Sequence, residues 1–274
     1  MSQPGPAVAG GEEATLQART VAVGEGQRPY FLVPPAGEAA GIVISLHGRG
    51  VTPQFQADLS EMGRLAADGA AVAFPQGSIV RSKNGYSWDR DADVAYLDAV
   101  IAAVRAEFPG AAPAVCLAGL SEGGTMASHY AGVRAGEVGV LAAVAGLRAP
   151  RQLPAKPVPV IAFHGLEDPF NPYAGRGSDH WYESVPEAAG AWATANKVGG
   201  ELEEVELSPT LKMIGYGEGS AAEVMLWVFA KAGHTWPGSH PGRVLRLLLG
   251  RTSPELDATG EIWAFYRRHL AMRA

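Results

Sequence analysis

Short apolar runs alternate along this chain with longer segments whose apolar residues recur every three or four positions. Residues 20–23 and 30–33 are β-like runs around a glycine-containing turn, and they predict an opening antiparallel hairpin closed by Pro34 and Pro35. Ile42, Val43, Ile44 and Leu46 make a nearly unbroken apolar run, as expected of a strand covered on both faces. Further strands are predicted at 70–74, 114–118, 141–145, 158–163 and 223–229, with Pro159 near the start of its strand. Helices are predicted at 52–68, 91–108, 122–135, 184–198 and 255–270. In the second of these, Val94, Leu97, Ile101, Val104 and Phe108 share one face. Strands alternating with helices predict an α/β fold, a doubly wound and mostly parallel sheet with helices on both faces. Residues 1–18, rich in Gly, Pro, Ala and Glu, read as a flexible tail, and 19–274 as a single α/β domain. The glycine-rich segment 215–219 reads as a hairpin turn.

Composition narrows the classes of function. Of 274 residues, 47% are hydrophobic and 18% charged, the balance of a globular protein with a filled core. The net charge of −6 and the absence of any Lys/Arg run argue against nucleic acid or an anionic membrane as partner. A lone cysteine, Cys116, lies in a predicted buried strand and cannot form an internal disulfide. The N-terminus shows neither the basic start nor the apolar stretch of a secretory leader, so a cytoplasmic protein is expected, or a secreted one whose leader is removed. No apolar segment reaches the roughly 20 residues of a membrane span.

Chemistry concentrates where predicted strands end. Ligands of open α/β sheets bind beyond the C-terminal strand ends. Here those ends carry His47-Gly48-Arg49-Gly50, Gly119-Leu120-Ser121-Glu122-Gly123, His164-Gly165-Leu166-Glu167-Asp168 and Gly233-His234-Thr235-Trp236. A G-x-S-x-G sequence between strand and helix is the pattern of a nucleophile elbow, and Ser121, Asp168, His234 follow in the order Ser…Asp…His. The hydroxyl needs a base, which His234 would supply. Asp168 would fix the imidazole tautomer and stabilise the imidazolium. Oxyanion donors are assigned to the backbone N–H groups of Arg49 and Glu122. Competitors for the base are His180 and His240, and for the acid Asp179 and Asp257. His47 and His164 read as structural strand-end residues, and His129 and His269 as surface or packing residues of helices. The histidines lack metal-binding spacings and no phosphate-binding loop motif is present, so no metal or cofactor is expected. Trp236, Tyr173, Trp181 and Trp88 lie in or beside these loops and are candidate substrate contacts. No long apolar lid segment is evident, which predicts an accessible cleft.

At these motifs the chain resembles the polyhydroxybutyrate-depolymerase-like and feruloyl-esterase-like branch of the α/β-hydrolases. The resemblance spans residues 30–269. It rests on Leu46-His47-Gly48, Phe74-Pro75-Gln76-Gly77 with Trp88, the helix start from Asp93 to Leu97, the extended elbow from Gly119 to Ala127, the loops ending at Asp168 and containing His234, and the aromatic C-terminal helix. It implies a serine carboxylic ester hydrolase acting on feruloyl-type, short-chain hydroxyalkanoate or polyester substrates, small or polymeric. The chain departs from secreted relatives at Arg49 and after Asn196, where those often carry cysteines, and it has no appended polymer-binding module. A serine peptidase of the same fold, or an inactive hydrolase fold used for binding, are the alternative readings.

Overall fold

A computed structural model describes residues 15–83, 85–177, 181–198 and 202–272. The predicted opening hairpin is present: β1 (Gln17–Val23) pairs antiparallel with β2 (Gly26–Val33). The chain continues through β3 (Gly41–Leu46), α1 (Pro53–Ser60), β4 (Ala70–Pro75), β5 (Ile79–Ser82), β6 (Gly85–Ser87) and α2 (Ala92–Glu107). The central part contains β7 (Val115–Leu120), α3 (Glu122–Val133), β8 (Val138–Val144), β9 (Val160–Gly165) and α4 (Val185–Ala195). It ends with β10 (Glu203–Ser208), β11 (Leu211–Tyr216), β12 (Val224–Phe229), α5 (Arg243–Leu249) and α6 (Ala258–Ala271).

Among the described residues, ten strands form one sheet in the order β1-β2-β4-β3-β7-β8-β9-β12-β11-β10. The strands from β4 to β12 in that order run parallel, and antiparallel strands complete both edges. Strands β3, β4, β7, β8 and β9 are buried along their whole length. Their side chains alternate between two apolar layers, as the pleat requires. Ile42, Ile44 and Leu117 face the layer closed by Leu97 of α2, Met126 and Tyr130 of α3 and Trp192 of α4. Val43, Cys116 and Ala118 face the layer closed by Leu59 of α1 and Ile262, Trp263 and Tyr266 of α6. Tyr266 ties the last helix to the sheet: its hydroxyl donates to the Ala114 carbonyl at 2.6 Å and accepts from Ile42 N–H at 3.4 Å. Burial pushes the Cys116 thiol far up its pKa scale, so it acts as a small apolar side chain.

The structure departs from the sequence expectation in four places. The helix expected over 52–68 stops at Ser60; Glu61 turns left-handed at φ 50, and a 3₁₀ segment, Met62–Asp68, follows. Tertiary contacts impose this break. The Ser60 hydroxyl donates back to Gln56 O, and the Ser60 carbonyl accepts from Thr259 of α6. Strands β10 and β11 and the β5–β6 hairpin are additional. Every residue of β10 is at least partly exposed; Val205 and Leu207 alternate with Glu204, Glu206 and Ser208, but neither face of the strand is buried. The turn expected at 215–219 does connect β11 to β12, with Gly217 and Gly219 at positive φ. Finally, α5 is a short helix of which no residue is buried.

The same contrast sets stability. Ile44→Ala in the fully buried β3 is expected to cost about 2–5 kcal/mol. Val205→Ala on exposed β10 should stay within about 0.5 kcal/mol of wild type. Urea unfolding of both variants measures the difference, and comparable costs would contradict the assignment of core and edge.

Candidate active site

Ser121 alone makes the turn from β7 into α3. Its backbone lies at φ 55 and ψ −120, a conformation a non-glycine residue holds only when its surroundings impose it. Backbone crowds the turn at its flanking glycines. A Cβ on Gly119 would sit 2.3 Å from the Gly123 carbonyl carbon, and one on Gly123 would sit 2.2 Å from the Leu46 oxygen. A Cβ on Gly146, after β8, would come within 2.1 Å of the Ser121 oxygen. The glycines of G-x-S-x-G are therefore demanded by close approach of β3, β7 and β8 to the helix start. Ser121 N–H donates to Val144 O at 2.8 Å, fixing the turn to the neighbouring strand.

His234 follows β12 and Asp168 follows β9, the adjacent parallel strand. Nδ1 of His234 lies 2.7 Å from Oδ2 of Asp168. The other carboxylate oxygen accepts from the N–H groups of Phe170 at 2.9 Å and Asn171 at 2.8 Å. Burial by itself would raise the Asp168 pKa. The His234 hydrogen bond and charge outweigh it, joined by the Asn171 amide and His164, so the carboxyl lies below its usual range. Asp168 is thus held as an acceptor for one imidazole nitrogen. The His234 loop is anchored in turn, its N–H donating to Leu249 O at the end of α5 at 2.6 Å.

Ser121 and His234 line one cavity of about 520 Å³, together with Arg49, Asn171 and Trp181 and an apolar wall that includes Phe55, Phe170, Leu245 and Leu249. Among the described residues the Ser121 hydroxyl carries no hydrogen bond, and neither does Nε2 of His234. The two groups face the same cleft. Arg49 lines the cavity, and the loop before it packs on the elbow: a Cβ on Gly48 would lie 3.6 Å from Ser121 Cβ. Glu122 opens α3, where a first-turn amide has no intrahelical acceptor. The Arg49 and Glu122 side chains approach each other at 3.8 Å.

The four candidate aromatic contacts separate. Trp181 lines the cavity, its indole N–H held by Pro172 O at 2.7 Å. Trp236 does not: it is 1% exposed, packed among α6 residues, and donates to Thr259 Oγ1 at 3.0 Å. Trp88 is also buried, its N–H donating to His47 O at 2.8 Å and its ring 4.8 Å from the His47 ring. Tyr173 is half-buried against the helical layer beside His164 and is not a cavity wall. Side-chain direction after a loop residue is set by local packing, which loop position alone does not specify.

The remaining candidates resolve similarly. His164 is buried, bonds Asn171 O at 2.7 Å through Nε2 and lies 3.6 Å from Asp168 Oδ2; burial lowers its pKa. His269 is buried against Phe265, and Asp257 sits at the start of α6 paired with Arg64. His240 is exposed. Asp179 and His180 lie outside the described residues. Residues that sequence reasoning missed are Asn171 and the leucines of α5. Asn171 offers its N–H to Asp168, its side-chain amide to Ala145 O at 2.7 Å and its carbonyl to His164. The leucine-rich run 244–249 was the available signal for the cavity wall. Among the described residues no group of three or more His, Cys, Asp or Glu could hold a metal ion, and no helix is long and apolar enough to cross a membrane.

Comparison with known proteins follows the same lines. No model of a known protein family matches the chain. A protein named "Putative esterase NocK", from Nocardia uniformis subsp. tsuyamanensis, is 32% identical over 181 residues, covering 60% of this chain and 52% of its own. The chain therefore spans about half the length of that curated relative. An acetyl xylan esterase structure from Aspergillus awamori superposes with a TM-score of 0.55 at 12% identity, covering 76% of this chain and 89% of that one. A Pyrococcus horikoshii acylaminoacyl peptidase gives 0.54 at 14% identity, covering 93% of this chain and 41% of its own. The fold is that of the α/β-hydrolases. Within the α/β-hydrolase fold both ester and amide hydrolysis occur, so these likenesses carry architecture and leave the reaction to the site.

His47 supplies a pH test of the loop beside the elbow. Its Nδ1 lies 2.8 Å from Gly48 O and its Nε2 accepts from Gly77 N–H at 3.0 Å, which requires the neutral ring. Burial drives its pKa down to about 4. With an unfolded value near 6.5, its stabilising contribution is complete above about pH 6.5 and is lost as the pH falls toward 4, by on the order of 3 kcal/mol. Stability measured from pH 7 to 4.5 should fall more steeply for wild type than for His47→Gln. Equal slopes would show that His47 does not hold this loop.

Proposed function

We propose that this protein is a serine carboxylic ester hydrolase that works through an acyl-enzyme on Ser121. One observation carries the reading: a serine held at a strained strand-to-helix turn opens into the same cavity as a histidine already oriented by a buried aspartate. Ser121 Oγ attacks the ester carbonyl while His234 Nε2 takes its proton. Asp168, bonded to Nδ1, stabilises the imidazolium that forms. The developing oxyanion is received by the backbone N–H groups of Arg49 and Glu122, each worth about 10²–10³ in rate. His234 then gives its proton to the departing alcohol. A water attacks the acyl-enzyme with the same histidine as base, and Ser121 is released.

The apolar wall supports a hydrophobic acyl or alcohol group, with Trp181 and Phe170 as its aromatic contacts. Feruloyl-type, short-chain hydroxyalkanoate and aromatic polyester substrates all have that character. The name of the Nocardia relative, "Putative esterase NocK", supports ester hydrolysis in general.

A fluorophosphonate probe, with p-nitrophenyl butyrate, methyl ferulate and a peptide amide as substrates, tests the proposal. Wild type should label and cleave esters; Ser121→Ala should lose labelling, and His234→Ala should lose at least 10³-fold in kcat while keeping its thermal midpoint. Labelling that survives Ser121→Ala, or a near-wild-type rate in His234→Ala, would refute the assignment. Dominant amide cleavage would make the protein a peptidase.

A further inference from the structure

Across Trp181 from the catalytic cleft lies a second, smaller cavity of about 20 Å³, walled by Arg90, Thr125, His129, Arg148, Arg151 and Tyr182. In a chain of net charge −6, three arginines converge on it. Arg148 is the key residue. It is 7% exposed, and its guanidinium lies 4.7 Å over the Trp181 ring and 4.4 Å from the Tyr182 ring. Its Nε is 3.2 Å from Glu183 Oε1, an oxygen that also accepts from Ala149 N–H. Its Nη1 is buried with no acceptor, and so is Nδ1 of His129.

A buried guanidinium N–H without an acceptor is costly, and native structures rarely leave one. The neighbouring charges do not relieve it. Burial together with Arg151 and Arg148 lowers the Arg90 pKa, with Glu122 opposing, which is the mark of cations crowded at one place. Burial likewise lowers His129, where Asp91 opposes and Arg151 and Arg90 reinforce the shift. Among the described residues Glu183 is the one carboxylate ion-paired to the cluster, and it meets Arg148 from the Nε side.

We propose that this cavity is an oxyanion-binding subsite, taking the carboxylate or phosphate end of a small ligand. Arg148 Nη1 would be the buried donor, with the guanidinium groups of Arg90 and Arg151 closing on the other oxygens; planar forks of this kind match such groups. A cavity of this size receives the terminal oxygens of a ligand and leaves its body outside. The subsite is separate from the chemistry at Ser121: Thr125, one helical turn later, lines this cavity and not the catalytic one, and Trp181 lines the catalytic one with the Arg148 guanidinium over its ring.

Calorimetric titration of the full chain at constant ionic strength, with inorganic phosphate and with acetate in chloride buffer, tests this. At least one of the two should bind saturably at a single site, and the tighter one identifies the oxyanion class. Arg148 is packed, so the substitutions fall on its more accessible neighbours. The double variant Arg90→Gln/Arg151→Gln, checked for an unchanged thermal midpoint, should bind at least tenfold more weakly. Ser121→Ala should bind as wild type. No saturable binding of either anion, indicating a cavity that holds only water, would overturn the proposal. So would equal affinity in the double variant. Loss of binding in Ser121→Ala would place the anion in the catalytic cleft and overturn it as well.

Discussion

The turn at Ser121 is the constraint on which the rest of the site depends. A serine at φ 55 is unfavourable by itself, on the order of 1–3 kcal/mol. It persists because the backbones of β3, β7 and β8 close around it so tightly that Gly119, Gly123 and Gly146 admit no side chain. The strain is a consequence of bringing a helix start against three parallel strand ends. The same close approach draws the loop after β3 against the serine and fixes one sheet edge as the place where chemistry can occur.

From that edge outward each group is held by the next. His47 ties the loop after β3 to Gly77 and to Trp88, so the Arg49 amide is carried on a rigid segment. Asn171 joins Asp168, Ala145 and His164, coupling the Asp168 loop to the end of β8 beside the Ser121 turn. The end of α5 holds the His234 amide, so the helix that supplies two leucines to the cavity wall also positions His234. Exposed Val244, Leu247 and Leu248 continue that apolar surface outward. The segment is short and makes a lip at the cavity, consistent with the absence of a long apolar lid segment in the sequence.

Legibility in the sequence followed burial and periodicity. The central strands were readable because both faces of each are covered, which demands nearly continuous apolar runs such as 42–46 and 114–118. The G-x-S-x-G pattern was readable because its glycines answer a backbone constraint that admits few residues. Strand β10 was missed although Val205 and Leu207 alternate with Glu204, Glu206 and Ser208, because both of its faces stay exposed and the run is short and acidic. The break at Glu61 was hidden because Thr259, far along the chain, helps to set it. Trp236 and Trp88 show the limit most clearly. Both stand next to functional loops, yet their indole N–H groups find partners inside the protein, at Thr259 and at the His47 carbonyl. The sequence showed which residues border the site; only packing showed which of them face it.

The central claim is that Ser121, His234, Asp168 and two backbone amides act on one reacting centre. A crystal structure of the phosphonylated protein tests it most directly. The account predicts phosphorus bonded to Ser121 Oγ, a phosphoryl oxygen about 2.7–3.1 Å from the amides of Arg49 and Glu122, and His234 Nε2 within hydrogen-bond reach of the adduct. Phosphorus on another side chain, or an adduct on Ser121 whose oxygen points away from both amides, would contradict it.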